Sequence, residues 1–270
     1  MFYRSLPAMR ACSLLMFLAV LISAPGRARA DSNNSASLAK PNAAMSVGAT
    51  ATDSDSGYIG DHSEFIAYPW LAYQKGRFFL YGLSAGYGIA TGDHYAFSVL
   101  TVPEIWRRSS SQLGGMHDLQ FSMDGGANLA VWGPVGSVSF GIFHDLLGRS
   151  AGGKVRFAYS AKIPLGGGLI SPSIGFVRED SNFANYYYGV NAAEARPGRP
   201  AYRPGPAMNP TAQLKYEIPF ADRWRLSVAL DYMRFGRAIR LSPLVDESRT
   251  RSLSISLLYA FGQQPSSEAK

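Results

Sequence analysis

The sequence predicts an all-β chain, a transmembrane antiparallel β-barrel of ten or twelve strands, on three observations. Residues 252–261, SLSISLLYAF, alternate: Leu253, Ile255, Leu257, Tyr259 and Phe261 share one face, opposite Ser252, Ser254, Ser256, Leu258 and Ala260. An apolar face ending in aromatics, backed by a small hydroxylic one, suits a strand with lipid on one side and a polar lumen on the other. The same alternation recurs in segments of about 10 to 13 residues, long enough to cross a bilayer at a tilt, where soluble strands usually run to about 5 or 6. The composition agrees: 47% hydrophobic, 13% aromatic, only 17% charged and 28 glycines, without a run of 18 apolar residues beyond the N-terminus that would make a spanning helix.

The N-terminus predicts export. Arg4 and Arg10 precede an apolar run over residues 13–22, followed by Ala28-Arg29-Ala30. This is the pattern of a cleavable signal peptide over residues 1–30, and the run is too short for a spanning helix. Cys12, the only cysteine, leaves with the signal, so no disulfide and no thiolate metal site is expected afterwards. Four arginines leave with it and no acid, so the net charge of +7 becomes +3. The remaining Lys and Arg are scattered singly, which argues against a nucleic-acid partner.

Residues 31–57 are rich in Ser, Asn, Ala, Thr and Asp and are expected to be a mobile segment, with a possible first strand near 44–51, AMSVGATA. The barrel is expected over 58–261. Its strands are predicted at 65–73, 77–89, 94–103, 119–131, 135–146, 155–165, 169–178, 212–220, 224–232 and 252–261. In 77–89, Phe79, Tyr81, Leu83, Ala85, Tyr87 and Ile89 are expected to face lipid, and Gly82, Ser84, Gly86 and Gly88 to clear space inside. In 119–131, Leu119, Phe121, Met123, Leu129 and Val131 oppose Asp118, Gln120, Asp124 and Asn128; in 155–165, Val155, Phe157, Tyr159 and Ile163 oppose Lys154, Arg156 and Lys162. In 212–220 and 224–232, Leu214, Tyr216, Ile218, Trp224, Leu226, Val228 and Leu230 oppose Lys215, Glu217, Arg225 and Asp231. Helical periodicity would mix these sets, so period 2 alone keeps charge off the apolar face.

Closed single-chain barrels of this type have even strand numbers, so ten strands stand, or twelve if 44–51 and one weak strand join. With a periplasmic C-terminus, the turns at Gly133, Gly166 and Ala221-Asp222 are periplasmic, and loops 107–117, 181–209 and 236–248 lie outside. The loop 196–210, RPGRPAYRPGPAMNP, is expected to be a semi-rigid surface segment, solvated or in contact with a ligand or partner.

The lumen set is Asp118, Asp124, Lys154, Arg156, Glu179, Lys162, Lys215, Glu217, Arg225 and Asp231. Mixed signs predict cross-strand ion pairs filling a narrow barrel, since a selective pore shows rings of one sign. His62, His94, His117 and His144 match no ligand spacing. His62 and Ser63 offer a nucleophile and base, but neighbours on a strand point to opposite faces. No catalytic residue, cofactor or metal site is therefore expected.

Tyr186-Tyr187-Tyr188-Gly189-Val190, together with Tyr58-Ile59-Gly60-Asp61-His62, Tyr68-Pro69-Trp70, Gly76-Arg77-Phe78-Phe79 and Ser242-Pro243-Leu244-Val245-Asp246, resembles the MipA/OmpV family, the MltA-interacting proteins of Gram-negative outer membranes. Asp61 stands where the family has serine. The resemblance implies a barrel in the outer membrane that acts as a scaffold between a murein hydrolase and a penicillin-binding synthase, with no catalytic residues to carry over. Other members are linked to adhesion or to antibiotic and osmotic responses. The expected function is thus a non-enzymatic scaffold for cell-wall enzymes or envelope maintenance, with outer-membrane lipid around it. A narrow channel or small-solute-binding or adhesion barrel is the second reading, and an outer-membrane lipid hydrolase the third.

Residues 262–270, GQQPSSEAK, continue past Phe261 as a polar stretch with a proline, unfit to extend the strand, and are expected to form a flexible tail. Deleting residues 262–270 is expected to leave membrane insertion intact, whereas Phe261→Ala impairs it, as read from the heat-modifiable folded fraction in the outer membrane.

Overall fold

Alternation becomes pairing throughout the region the structure describes. This is a computed structural model, and it describes residues 44–261 except 62, 106, 107 and 109; the leader, residues 31–43, the polar tail and His62 lie outside the described residues. The strands are β1 (Ala44–Ser54), β2 (Glu64–Lys75), β3 (Phe78–Tyr81), β4 (Ser84–Thr91), β5 (Tyr95–Glu104), β6 (Ser122–Gly133), β7 (Gly136–Asp145), β8 (Gly153–Ser160), β9 (Ile163–Leu165), β10 (Gly168–Glu179), β11 (Ala207–Ala221), β12 (Trp224–Arg234) and β13 (Arg249–Phe261). β9 continues β8 beyond a break at Ala161-Lys162, and both pair with β10. Counted as one strand, they leave twelve, each antiparallel to its neighbours. β1 pairs with β13 from Met45 opposite Phe261 to Ser54 opposite Ser252, which closes the barrel and removes the outer sheet edges.

The inward face of that seam is hydroxylic. Thr50 meets Ser256 and Thr52 meets Ser254, each with hydroxyl oxygens 2.9 Å apart, the kind of cross-strand pair that stabilises a sheet. The outward face carries Val47, Ala49, Ile255 and Leu257 and continues around the barrel through Leu230, Leu214, Ile174, Phe140 and Val99. Near the end that carries the short turns, Trp224 packs edge-on against Tyr259 at 5.1 Å and Tyr259 against Phe261 at 4.9 Å, an aromatic girdle at the membrane interface.

The turns at this end are tight. Leu165 pairs with Gly168 across Gly166 and Gly167, whose φ values of 56° and 78° suit a two-residue hairpin. Loops 105–121, 180–206 and 235–248 gather at the opposite end, which in this class of barrel faces outward.

The predicted single strand 77–89 is instead a hairpin. The chain reverses at Gly82-Leu83, with Gly82 at φ 58° and Tyr81 opposite Ser84. Cross-strand partners share a face, so the reversal turns Phe79 and Tyr81 inward, against the expectation that they face lipid. They join Leu100, Val102 and Phe143 in an apolar cluster inside the barrel. Phe79 lies over its partner Gly86, where a Cβ would sit 2.2 Å from the ring; Leu83, Tyr87 and Ile89 do point outward. β1 and this split supply the eleventh and twelfth strands. The expected strand 119–131 begins only at Ser122, because Leu119 packs instead against the core formed by the loops.

Candidate functional site

The outer mouth of the barrel is covered by its own loops. After β10, Asp180 caps a helix, α1 (Ser181–Tyr188): its carboxylate accepts the Phe183 N–H at 2.8 Å and, from the start of β8, the Gly153 N–H at 2.7 Å. An N-cap that also binds the neighbouring strand fixes the helix to the rim. α1 directs Phe183, Tyr187 and Tyr188 into a core with Tyr58, Leu113, Val190, Phe235, Ile239 and Leu244, all 4% exposed or less. These residues come from four loops around the rim, so the core they share lies across the mouth. The rings pack closely, Phe183 tilted against Tyr187 at 4.4 Å and Tyr188 edge-on to Phe235 at 5.5 Å.

Hydrogen bonds give this cap a single arrangement. The Tyr58 hydroxyl donates to the Tyr187 carbonyl at 2.9 Å, and Arg108 Nη2 donates to the same carbonyl at 2.6 Å. Ser242 donates to the Tyr188 carbonyl at 2.6 Å. Burial pushes the Tyr58 phenol up to about 12 against the pull of Arg108, and burial raises Tyr187 and Tyr188 as well, so all three remain neutral at physiological pH. The loop expected over 196–210 ends at 206, where β11 begins and pairs with β10; within it Arg196 donates to the Gln112 and Gly114 carbonyls and Arg199 to those of Gly114 and Glu194. Both guanidinium groups thereby tie this segment to the loop before β6.

His117 and Glu194 lock the same two loops together. The Glu194 carboxylate accepts both the His117 N–H and the His117 ring at 2.8 Å, and the Asn191 N–H at 2.9 Å. Burial works to raise this carboxyl, but those hydrogen bonds outweigh it and hold Glu194 below its ordinary value. A depressed folded value means stabilisation that is full above the unfolded pKa, about 4.3, and lost as pH falls through the folded one. Limited proteolysis of loop 190–206 is therefore expected to accelerate below about pH 4 in the native protein. In Glu194→Gln cleavage is expected to be faster at neutral pH, with a flatter pH profile.

Beneath the cap lies a cluster of buried charges. Lys154 Nζ contacts the Glu104 carboxylate and lies 2.7 Å from Asp124 Oδ2, while Arg156 Nη2 is 3.6 Å from Glu104. Glu179 is the direct cross-strand partner of Lys154. Lys154, Asp124, Glu104 and Glu179 are each 6% exposed or less, and Phe183 covers the ammonium with its ring 4.6 Å away. Charges so far from water are sustained by opposite partners, and Lys154 supplies one to both Glu104 and Asp124. Lys215 and Glu217 pair at 3.1 Å and Gln213 donates to Asp231 at 2.6 Å. Beside this wall a cavity of about 110 Å³ is lined by Arg156, Ser173, Thr211, Gln213, Asp231 and Ser252.

The predicted lumen set is thus assembled in part. Asp124, Lys154, Arg156, Glu179, Lys215, Glu217 and Asp231 line the interior, whereas Asp118 is exposed in a loop, Lys162 at the β8–β9 break and Arg225 at the turn end. Glu104 was missed because the predicted strand stops at 103; extending the inward set Ser98, Leu100, Val102 by one more step reaches it. His94 is exposed in the turn before β5, His144 on β7, and Ser63 is exposed just before β2.

Residues 47–261 match the family described as MltA-interacting protein MipA. The chain belongs to the MipA family. It is 26% identical to the MltA-interacting protein of Escherichia coli (strain K12) over 234 residues, 84% of this chain and 94% of that one. To outer membrane protein OmpV of Vibrio cholerae serotype O1 it is 31% identical over 153 residues; that match covers 57% of this chain and spans only 60% of the Vibrio protein. An outer-membrane channel from Pseudomonas putida F1 superposes with a TM-score of 0.43 at 10% identity, covering 86% of this chain and all of that one, a likeness too loose to argue from. This MipA-family chain is an outer-membrane barrel.

Three of the five segments that carry the MipA resemblance, far apart in sequence, meet in the cap. Ile59 N–H donates to the Leu244 carbonyl at 2.8 Å, Gly60 N–H to Asp246 at 3.2 Å, and Tyr58 pairs with Val245 as a β-bridge. Tyr187 and Tyr188 close the same core from α1.

Proposed function

We propose that this MipA-family barrel is a non-enzymatic scaffold that holds a murein hydrolase, and through it a penicillin-binding synthase, at the inner face of the outer membrane. The observation that carries this reading is the sealed mouth: an aromatic cap over a buried cluster of both charge signs is built for permanence rather than for an open selective pore. The name of the Escherichia coli relative, MltA-interacting protein, supports the class of partner. Capture of a soluble lytic transglycosylase on detergent-solubilised, immobilised protein tests it. Retention at near-stoichiometric amounts, reduced by substitutions in the turn at Asp222-Arg223, is expected; no retention above that of an unrelated outer-membrane barrel overturns it.

The cavity beside Gln213 and Asp231, which mixes these polar groups with an apolar lining, favours a second reading, a barrel that binds small solutes. Planar-bilayer recording separates a channel from a binding barrel, and discrete conductance from the native protein would favour the channel over the scaffold.

A further inference from the structure

Arginines scattered singly along the sequence gather on one side of the barrel's outer surface. Arg178 of β10, Arg234 of β12 and Arg251 of β13 each stand ten positions along the strand from the residue at its foot, Gly168, Trp224 and Phe261. Their neighbours Glu179, Met233 and Thr250 are buried inside the barrel, and side chains alternate along a strand, so all three arginines point outward. Arg249 joins them as the direct cross-strand partner of Arg234.

Their height decides what they meet. Ten residues at about 3.3 Å each, on a strand tilted by about 40°, rise about 25 Å, the height of the apolar band of such a barrel. Trp224 marks the lower edge of that band, and the exposed Tyr232, two residues before Arg234, marks the upper one. The arginines therefore lie level with the head groups of the outer leaflet. On the other side of the barrel the same height carries no charge: Phe65, Met123 and Leu146 lie the same ten positions from Lys75, Gly133 and Gly136. The basic edge is confined to the adjacent strands β10 to β13.

The arrangement is costly for the protein alone. Like charges directly opposite each other destabilise a sheet, and Arg234 and Arg249 are such a pair. Arg251 has an acid, Asp55, with Nε 3.1 Å from Oδ2. Among the described residues no carboxylate pairs with Arg178, Arg234 or Arg249, and Arg249 Nε is buried without a hydrogen-bond partner. Below the arginines the wall is apolar, with Ile174, Leu214, Leu230 and Leu253 exposed. An anion that serves two facing guanidinium groups needs several acceptor oxygens, which phosphate has and which a guanidinium fork matches in pairs. At this depth it must be carried on acyl chains. We propose that the β10–β13 edge binds a phosphate-bearing lipid of the outer leaflet, with the phosphate between Arg234 and Arg249, Arg178 and Arg251 flanking it, and the acyl chains on the apolar wall below.

Native mass spectrometry of the whole barrel in neutral detergent, with lipid A as the probe, tests this. The native protein is expected to retain one lipid A, and to hold the dephosphorylated lipid about tenfold more weakly. Arg234→Gln combined with Arg249→Gln is expected to weaken retention of lipid A about tenfold. Lys75→Gln combined with Lys162→Gln removes the same charge from the turn end and is expected to change nothing. Without lipid, the arginine double variant is expected to unfold no earlier than the native protein, because a like-charge contact has gone. Added lipid A is expected to raise the unfolding midpoint of the native protein only. Equal retention of the dephosphorylated lipid, or equal loss in the two double variants, overturns the proposal. Earlier unfolding of the lipid-free arginine variant would make the two side chains part of the wall's own structure and overturns it too. A midpoint raised as much by inorganic phosphate as by lipid A would assign the site to free phosphate and overturn the lipid.

Discussion

Lys154→Met is expected to destabilise the outer half of the barrel more than any other single substitution in the lumen. Lys154 is 4% exposed and faces Glu104, Asp124 and Glu179, all nearly out of contact with water. Methionine fills a similar volume, so the effect isolates charge rather than packing. Removing one partner from a buried ionic group costs about 3–5 kcal/mol, because the charge left behind is uncompensated. Arg156 Nη2, 3.6 Å from Glu104 and partly solvated, covers only one of the three carboxylates. Thermal unfolding followed by circular dichroism in detergent should show a clear fall in midpoint. Glu104→Gln and Asp124→Asn in the same chain should recover most of the loss. An unchanged midpoint in the single variant would mean that water reaches the cluster and that the seal above it is not tight.

Tyr188→Ala is expected to open the cap while leaving the barrel closed. Tyr188 is fully buried, packs against the Tyr58 and Phe235 rings, and its carbonyl accepts the Ser242 hydroxyl. Truncating a buried aromatic costs about 3–5 kcal/mol, since the cavity left behind collapses only partly. The cap joins the wall through few elements, so the loss should fall on the loops. Cleavage within loops 190–206 and 236–248 should accelerate, the heat-modifiable shift of the barrel should persist, and conductance steps absent from the native protein should appear in planar bilayers. Tyr58→Phe, which removes one hydroxyl donor to Tyr187, should show the same direction at about 1 kcal/mol. A Tyr188→Ala protein as protease-resistant as the native one would show that the aromatic core does not hold the mouth shut.

Most of the barrel was legible because a membrane strand is specified residue by residue. Ser252 to Phe261 or Lys154 to Leu165 must place every second side chain in lipid, and one error exposes a charge to hydrocarbon. The hairpin at Gly82 was not legible in the same way. Phe79, Tyr81, Leu83, Ala85 and Tyr87 keep perfect alternation through the reversal, because the two-residue turn at Gly82-Leu83 preserves the parity of the pattern while changing which face half of it occupies. The positive φ of Gly82 carries the decision, and a glycine in a glycine-rich strand does not announce it. Glu104 was lost for a simpler reason, as the last inward residue before a long loop.

The sequence by itself determined the class of fold, the lipid-facing stripe, the mixed signs of the lumen and, through the Tyr-rich and Ser-Pro-Leu-Val-Asp segments, the resemblance that the family match bears out. Those properties are local or periodic, fixed by what each strand must show to lipid and to the lumen. Only the tertiary structure decided that Tyr58, Tyr188 and Leu244 close one core across the mouth and that Lys154 pairs with Glu104 and Asp124 from two other strands. These depend on register between strands and on the path of loops over the rim, which are set by contacts between residues as far apart as Thr50 and Ser256, 206 positions along the chain. No window of the chain contains both sides of such a contact, so no reading of alternation could have found them.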